Sequence, residues 1–301
     1  MTAIEIQQVS KSYKGVKAIE DISFNVNENE LFGLIGPDGA GKTTLFRILT
    51  TLLLPDSGKA NICGLDTKKD YKEIRKILGY MPGRFSLYQD LTVEENLKFF
   101  ATIFGTTIEE NYNLIKDIYS HIESYKKRLA GKLSGGMKQK LALSCALIHK
   151  PRVLILDEPT TGVDAVSRKE FWQMLKDLQQ KGITIIVSTP YMDEASLCDR
   201  VALIQKGNIM KIETPSTIIS QFGEQLWAVR DDNMYELKNT LASLDDCNSA
   251  YLFGQTIHYT SKNIIKANEL REMLEQKGHS NVEISPIEAG IEDCFMKLMV
   301  V

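Results

Sequence analysis

The chain has 301 residues, 43% of them apolar and 25% charged, which is ordinary for a globular protein and excludes intrinsic disorder as its main state. The formal net charge of −3 gives no general attraction to nucleic acid, so we expect no nucleic-acid partner. Five cysteines without a Cys-x-x-Cys pair argue against zinc and disulfides, and we expect neither a signal peptide nor a membrane span.

The first part of the chain predicts β-structure followed by one helix. Two β-rich runs flank a turn at Lys14 and Gly15 and therefore predict antiparallel strands. An apolar run that ends in Gly36 is typical of a buried strand, and the helix after it should stop before Pro55. The predicted strands are residues 3–9, 21–26 and 31–36, and the predicted helix is residues 43–53.

Residues 36–43 read Gly-Pro-Asp-Gly-Ala-Gly-Lys-Thr, a full match to the phosphate-loop motif G-x-x-x-x-G-K-[ST] between a strand and a helix. Glycines let backbone N–H groups converge on phosphate oxygens, and the helix N-terminus adds a favourable dipole. We expect Lys42 to reach the β and γ phosphates and the Thr43 hydroxyl to bind Mg²⁺. A glycine-rich turn without a ligand is the alternative. The predicted nucleotide-binding residues are Gly36, Pro37, Asp38, Gly39, Ala40, Gly41, Lys42, Thr43 and Thr44.

From about residue 84 to 150, helical signals dominate. Thr92 precedes an amphipathic run with Glu95 three residues later, a capping-box pattern that predicts a helix start. His149 is expected to end a helix, where it would satisfy the helix dipole. Buried strands that alternate with helices then indicate a parallel sheet covered on both faces. The predicted elements are strands at 153–157 and 183–188, a helix at 167–180 and a hairpin at 200–212.

The sequence VLILDEP at residues 153–159 places Asp157 and Glu158 where an apolar strand leaves the sheet. Catalytic groups of open α/β sheets gather at such carboxyl ends. We expect Asp157 to hold Mg²⁺ through its water shell and Glu158 to act as general base on the attacking water. A solvated acidic loop is the alternative, and the upstream phosphate loop argues against it.

After about residue 215 the composition becomes more acidic and the pattern changes, which predicts a small α+β domain. No internal repeat or low-complexity linker is visible in the sequence. The predicted strands of this part are residues 226–230, 250–259 and 282–285, and its predicted helices are residues 235–244, 264–276 and 291–298.

The run LSGGMKQ at residues 133–139 is by itself compatible with a helix N-cap and a turn. Together with GPDGAGKTT, VLILDEP and the TTGVD run at residues 160–164, it makes the chain resemble the ATP-binding subunits of ABC transporters, from residue 3 to about 215. The resemblance implies an α/β P-loop NTPase fold with an antiparallel β-subdomain and a helical subdomain. The implied boundaries are residues 1–215 for the ATP-binding domain, about 84–150 for its helical subdomain and 216–301 for the small α+β domain.

The same resemblance implies ATP and Mg²⁺ as ligands and a head-to-tail dimer with a second ATP-binding subunit. ATP then lies between one chain's phosphate loop and the other chain's LSGGM signature. Asp164 corresponds to the D-loop aspartate at this interface, and Tyr13 to the aromatic residue that stacks on adenine, unless it is a plain surface tyrosine. The residues implied are Lys42 and Glu158 for catalysis, Thr43 and Asp157 for the metal, and Leu133, Ser134, Gly135, Gly136, Met137 and Gln139 for contact with the partner's ATP.

Two segments resemble exporters of the daunorubicin-resistance type. They are FSLYQDLTVEENLKFF at residues 85–100 and, more loosely, PIEAGIEDCFMKL at residues 286–298. This resemblance implies that ATP hydrolysis drives export through a separate membrane permease, docked on the helical subdomain near residues 84–104. The chain is then expected to be a peripheral subunit at the cytoplasmic side of the cell membrane.

Two positions depart from the family pattern. Gly83 stands where the Q-loop glutamine is expected, and Pro190 stands where the switch-loop histidine is expected. The usual contacts to metal, attacking water and γ-phosphate therefore lack their side chains. Asp38 replaces a more frequent asparagine and should turn away from the phosphates. Because the signature is intact, the sequence favours a subunit that binds ATP but hydrolyses it slowly at its own loop, in a homodimer or a heterodimer, although an intact Glu158 argues against a fully inactive site.

Other classes share parts of this pattern. A P-loop GTPase or kinase would share the phosphate loop, but the chain has no Asn-Lys-x-Asp motif for guanine and neither class explains LSGGM. Chromosome and DNA-repair ATPases insert long coiled coils, for which residues 44–132 are too short, and related translation factors carry two cassettes. A binding module that uses ATP only as a dimerisation switch stays open because of Gly83 and Pro190.

Overall fold

The computed structural model describes residues 1–299, which divide into two compact units, Met1–Pro215 and a second one that begins at Ser216. The strands of the first unit are β1 (Thr2–Tyr13), β2 (Val16–Asn27), β3 (Leu31–Ile35), β4 (Ser57–Ile62), β5 (Leu65–Asp66), β6 (Leu78–Met81), β7 (Val153–Asp157), β8 (Thr184–Thr189), β9 (Arg200–Gln205) and β10 (Asn208–Glu213). Its helices are α1 (Lys42–Leu49), α2 (Tyr71–Ile77), α3 (Val93–Ile103), α4 (Ile108–Glu123), α5 (Gly135–Leu147) and α6 (Ala165–Gln180), with 3₁₀ turns at Ala130–Lys132 and Met192–Leu197.

An antiparallel sheet with the strand order β2-β1-β4-β5 forms the expected β-subdomain. β1 and β2 are joined at Lys14 and Gly15, whose φ angles of 48° and 84° fit a tight turn. Along β2, buried and exposed residues alternate, because one face of the sheet packs on the core and the other faces solvent. Both strands extend beyond the predicted residues 3–9 and 21–26.

A six-stranded sheet with the order β10-β9-β3-β8-β7-β6 carries the site. All its pairs are parallel except the hairpin of β9 and β10, which confirms the predicted parallel sheet and hairpin. Every residue of β3, β7 and β8 is buried, as expected for strands covered on both faces. In the register, Ile35 lies beside Thr189 and Asp157 beside Ser188, so the carboxyl ends of these three strands meet at one edge.

The main core of the first unit is shared by both sheets and α1, which anchors the helix that follows the phosphate loop. It includes Ile4, Val26, Phe32, Phe46, Ile155 and Ile186. α1 ends at Leu49 and not at residue 53. Thr51 takes a positive φ of 61°, and the N–H of Leu52 turns back to Arg47 O. This left-handed turn stops the helix before Pro55 can do so.

Helices α3, α4 and α5 form the expected helical subdomain, and α5 packs against both of the others. α3 begins with the predicted capping box, in which the Thr92 hydroxyl accepts from Glu95 N and the Glu95 carboxylate accepts from Thr92 N. α4 begins with the same arrangement at Thr107 and Glu110. Each pair of reciprocal hydrogen bonds satisfies donors that the helix start leaves free.

The second unit is a small α+β fold with its own core. It contains α7 (Pro215–Ser220), β11 (Leu226–Arg230), α8 (Met234–Ala242), β12 (Cys247–Phe253), β13 (Thr256–Ser261), α9 (Ala267–Gln276), β14 (Glu283–Ile287) and α10 (Ile291–Met299), with an antiparallel sheet in the order β12-β13-β11-β14. The single strand predicted at residues 250–259 is wrong, because the chain reverses at Gly254, with a φ of 57°, and forms a hairpin there. Across residues 1–299, no helix has the length and apolar composition needed to cross a bilayer.

Candidate functional site

The phosphate loop joins β3 to α1 at the carboxyl edge of the parallel sheet. Gly41 is the N-cap residue of α1 and has a φ of 108°. Among the described residues, no side chain caps the backbone N–H groups at the start of this helix. The backbone donors of that turn and the helix dipole therefore favour an anion at this point. Thr43 and Thr44 are partly buried in the turn, whereas Asp38 is exposed, as expected for a carboxylate that points away from the loop.

Two glycines of the loop lie too close to neighbouring backbone for any side chain. A Cβ at Gly36 would come within 2.2 Å of Ile204 O, and one at Gly41 would come within 2.5 Å of Ala18 O. Gly39 has open space around it but a φ of 79°, which also favours glycine. The loop is thus pressed onto β9 and β2, and the O atom of buried Ala40 accepts from Gly207 N.

Lys42 occupies the centre of the loop, and only 3% of it is exposed. Its Nζ donates to Gly36 O at 2.8 Å and to Pro37 O at 3.0 Å. Glu158 Oε1 lies 3.1 Å from the same Nζ. The loop carbonyls therefore hold the ammonium group in place, and it faces the acid pair.

Asp157 and Glu158 are held by the end of the neighbouring strand β8. Asp157 is 2% exposed, and Ser188 Oγ donates to its Oδ1 at 2.7 Å. Glu158 N donates to Ser188 Oγ at 3.0 Å and to Ser188 O at 3.1 Å. Glu158 has a φ of 50°, in the left-handed region that non-glycine residues rarely adopt. Such backbone strain is found most often at functional sites, where surrounding contacts hold it.

The Q-loop position lies directly against the acid pair. A Cβ at Gly83 would be 3.0 Å from Asp157 O and 3.8 Å from Glu158 Cβ. A longer side chain at this position would therefore start beside both acidic residues. Nearby on β6, burial and then the charge of Asp157 raise the pKa of Tyr80 to about 12, so its phenol stays neutral.

The switch position follows β8 at the same edge of the sheet. Thr189 Oγ1 accepts from Tyr191 N at 3.0 Å and donates to the buried carboxylate of Glu194. Pro190 between them has no N–H and no polar side-chain atom. The switch segment is therefore in position, but it offers no donor at residue 190.

The signature residues form the start of α5. Ser134 caps the helix, with its Oγ accepting from Met137 N at 3.4 Å, while Ser134 and Gly135 themselves are exposed. A Cβ at Gly136 would be 2.9 Å from Ser167 Oγ, so the start of α5 packs closely on the start of α6. Ser134 therefore caps α5 in addition to belonging to the LSGGM signature. Leu133 is buried, and Met137 and Gln139 are partly buried.

Asp164 is the N-cap of α6 and accepts from Ser167 N at 3.0 Å. Hydrogen bonds from the backbone and then the side chain of Ser167 lower the pKa of Asp164. The helix consequently begins at Ala165, two residues before the predicted start. Tyr13 lies at the end of β1, and 43% of it is exposed, which leaves its ring face accessible.

Some of these interactions were not predicted from the motifs. Ser188 binds Asp157 from 31 residues away, and Glu194 binds Thr160 from 34 residues away and Thr189 of the switch segment from five. The parallel register could have indicated Ser188, because the residue beside the last position of β7 must lie at the same edge. Glu194 carries no comparable signal in the sequence.

A second feature that was not predicted is a cleft of about 690 Å³ between β6 and the helical subdomain. Its wall contains Met81, Pro82, Leu87, Phe100, Ile103 and Phe104. His149 belongs to this wall, with its ring stacked on Phe104 at a centroid distance of 3.8 Å and its Nε2 3.1 Å from Leu78 O. Burial lowers the pKa of His149, which favours the uncharged ring, and its Nε2 contacts a carbonyl of β6 and not the end of α5.

The comparisons with known proteins agree with this geometry. The family profile described as ABC transporter matches residues 19–161. The chain is 40% identical over 223 residues to the probable multidrug ABC transporter ATP-binding protein YbhF of Escherichia coli (strain K12); the match covers 73% of this chain but only 38% of that relative. It is 33% identical to the Nod factor export ATP-binding protein I of Burkholderia thailandensis, over 98% of this chain and 96% of that protein.

Solved structures give the same result for the fold. An ATP-binding subunit of an ABC transporter superposes with a TM-score of 0.67 and 28% identity, over 73% of this chain and 93% of that one. A dimeric ATP-binding cassette in a post-hydrolysis state, bound to ADP and Pi, gives a TM-score of 0.64 and 25% identity, over 70% of this chain and 98% of that one. The chain therefore belongs to the ATP-binding proteins of the ABC transporter family.

Proposed function

We propose that the chain is the ATP-binding subunit of an exporter and couples ATP binding and hydrolysis to transport through a separate membrane permease. The observation that carries this proposal is the convergence of Lys42, Asp157 and Glu158 at the phosphate loop, with 3.1 Å between Lys42 Nζ and Glu158 Oε1. The names of the relatives, which refer to multidrug transport and Nod factor export, support the direction of transport.

The residues at this edge fit a magnesium–nucleotide complex. The glycine loop leaves room that a Cβ would fill, and the first turn of α1 offers backbone donors to phosphate oxygens. Mg²⁺ prefers oxygen ligands, and the Thr43 hydroxyl and the Asp157 carboxylate would hold it. Ser188 engages only Oδ1 of Asp157, which leaves Oδ2 for the metal or its water shell. When bound, Mg²⁺ would neutralise charge on the phosphates during their hydrolysis.

The reaction is ATP + H₂O → ADP + phosphate, and the residues of this chain divide the work. Lys42 would exchange its contact with Glu158 for the β and γ phosphate oxygens, because an anion with several charges competes with one carboxylate. Glu158, released from Lys42, would accept the proton of the attacking water. Ser188 Oγ accepts from Glu158 N and so fixes the backbone from which that carboxylate projects, which reduces the reorganisation needed for reaction.

A second candidate function is a weakly hydrolysing subunit that uses ATP mainly as a dimerisation switch or regulatory signal. The observation that favours it is the loss of polar side chains at Gly83, beside the acid pair, and at Pro190, at the switch position. Intact Glu158 favours slow turnover over none. The two candidates share ATP binding and differ in the rate of hydrolysis at this chain's own loop.

The proposed partners are a second ATP-binding subunit and the permease. Exposed Ser134 and Gly135 at the start of α5 support contact with a nucleotide held by the second subunit, and the structural relative with bound ADP and Pi is dimeric. The apolar cleft beside residues 84–104 supports the docking of a permease segment, because Leu52 and Ile103 are exposed at its rim. The chain would then lie on the cytoplasmic face of the membrane as a peripheral subunit.

Equilibrium binding of Mg-ATP to the purified chain tests the proposed site. We expect Lys42→Ala to weaken binding at least tenfold, because it removes the charge that contacts the β and γ phosphates. Lys98→Ala is the matched control, since Lys98 lies on α3 with 60% of its side chain exposed. Equal affinity of the parent chain and Lys42→Ala would contradict the proposed site.

Fractionation of cells that express the chain with its permease tests the docking cleft. We expect Ile103→Glu to move the chain from the membrane fraction to the soluble fraction, because a charge at the rim of an apolar interface is costly to bury. Ile264→Glu in the second unit replaces an equally apolar residue with 91% exposure and should leave the distribution unchanged. Retention of Ile103→Glu at the membrane would argue against docking at this cleft.

A further inference from the structure

A buried carboxylate connects the segment that follows Glu158 with the switch segment that follows β8. Glu194 lies in the 3₁₀ turn after Pro190, and only 2% of it is exposed. Its Oε2 accepts from Thr160 Oγ1 at 3.1 Å and from Thr189 Oγ1. Thr160 follows Glu158 by two residues, and Thr189 is the last residue of β8 before Pro190. One oxygen atom therefore ties the loop after the general base to the switch segment.

The other oxygen of Glu194 faces the first turns of α6. Arg168 Nε forms an ion pair with Glu194 Oε1 at 3.3 Å, and Oε1 accepts no hydrogen bond from the described residues. The same guanidinium donates to Asp193 Oδ2 at 2.8 Å and lies over the Tyr191 ring at 4.4 Å. Arg168 N in turn donates to Asp164 O at 2.9 Å. We call residues 158–164 the catalytic loop. Glu194 contacts it directly at Thr160 and reaches Asp164 through Arg168.

We propose that Glu194 is a positioning residue that holds the catalytic loop in register with the switch segment. The inference rests on the proposed function, because it assigns Glu158 and Asp164 to the nucleotide site. Pro190 has no N–H and no polar side-chain atom to link these segments, whereas Glu194 links them through buried hydroxyl groups of Thr160 and Thr189. Glu194 itself has no described contact with the phosphate loop and acts only through its neighbours.

The chemistry of Glu194 makes an amide a poor replacement. The carboxylate presents acceptors to two hydroxyl groups on one side and to a guanidinium on the other. In Glu194→Gln, an amide oxygen that faces the two threonines places the NH₂ group against Arg168, which has no acceptor. In the reverse orientation both threonine hydroxyl groups lose their carboxylate acceptor and must rotate to accept from the NH₂ group instead. The variant keeps the size and shape of the side chain, so it loosens this connection with little loss of packing.

Hydrogen exchange of the purified chain, measured by mass spectrometry without nucleotide, tests the proposal. We expect the amide hydrogens of residues 160–164 to exchange at least fivefold faster in Glu194→Gln than in the parent, with exchange in strands β3 and β7 unchanged. Thr160→Val should have a similar effect, and the two substitutions together should add little. Asp193→Asn is the matched control, because Asp193 contacts the same Arg168 but 71% of its side chain is exposed.

Nucleotide measurements separate positioning from a general structural role. We expect Glu194→Gln to bind Mg-ATP within twofold of the parent while its kcat falls at least tenfold and its KM stays within twofold. Unchanged exchange at residues 160–164, or equally faster exchange throughout β3 and β7, would overturn the proposal. A parent chain that does not bind Mg-ATP would overturn the proposed function instead, and the exchange experiment would still decide whether Glu194 holds the catalytic loop.

Discussion

The close approach of β9 to the phosphate loop leaves no room for a side chain at Gly36. Because a Cβ at this position would lie 2.2 Å from Ile204 O, Gly36→Ala must displace the backbone of the loop or of β9. We expect it to lower the free energy of unfolding by about 2–3 kcal/mol, as overpacked sites do, and to weaken Mg-ATP binding. Urea unfolding measures the first effect. Gly290→Ala, whose Cβ would meet only an ordinary contact at 3.6 Å, should change stability far less.

The two unusual residues at the acid pair and the switch position allow a gain-of-function experiment. We expect Gly83→Gln combined with Pro190→His to raise steady-state ATP turnover by about tenfold, because both side chains add polar groups where the water and γ-phosphate would lie. The new Cβ at residue 83 would start 3.0 Å from Asp157 O, which a shift of a few tenths of an ångström relieves. Gly83→Ala with Pro190→Ala controls for the added bulk. Equal turnover in both double variants would mean that these positions do not limit hydrolysis.

At the level of residues, the motifs predicted the charged groups of the nucleotide site. The structure brings these residues, Lys42, Asp157 and Glu158, together. Such groups are visible in a sequence because their spacing follows directly from a strand, a turn and a helix. Ser188 and Glu194 were not predicted, since Asp157 lies 31 residues from Ser188 and Thr160 lies 34 residues from Glu194. The tertiary fold, and no local spacing, brings each pair together. A residue that acts through another residue has no local pattern by which to recognise it.

Among the elements, the start of α3 offers a direct test of a capping box. We expect Thr92→Ala to lower the free energy of unfolding by about 1 kcal/mol, because the Glu95 N–H loses its acceptor. Hydrogen bonds from the backbone and then the side chain of Thr92 hold the pKa of Glu95 below its usual value. The contribution of these two bonds should be present at neutral pH and fade as the pH falls through the lowered pKa, whereas the bond from Glu95 N does not depend on pH. Thr102→Ala, within the same helix, should be close to neutral. Equal effects of both substitutions in thermal unfolding would contradict the capping argument.

Most elements could be predicted because their periodicity or their caps are local. The core strands β3, β7 and β8 follow from apolar runs, and the N-terminus of α3 follows from its capping box. The end of α1 could not be predicted, because Thr51 adopts a left-handed backbone conformation that threonine seldom takes. The hairpin at Gly254 was missed for a related reason, since one glycine within a β-rich run also fits a continuous strand.

For the whole molecule, the central claim is that the chain hydrolyses ATP at its own phosphate loop, slowly and through Glu158. Steady-state ATP hydrolysis by the purified chain, with Glu158→Gln as the matched variant, tests it most directly. We predict a low but measurable turnover that falls at least a hundredfold in Glu158→Gln, while Mg-ATP binding is retained. Turnover that is unaffected by Glu158→Gln would contradict the role assigned to Glu158. No turnover despite clear Mg-ATP binding would also contradict the claim, and it would favour a subunit that serves only as an ATP-dependent dimerisation switch.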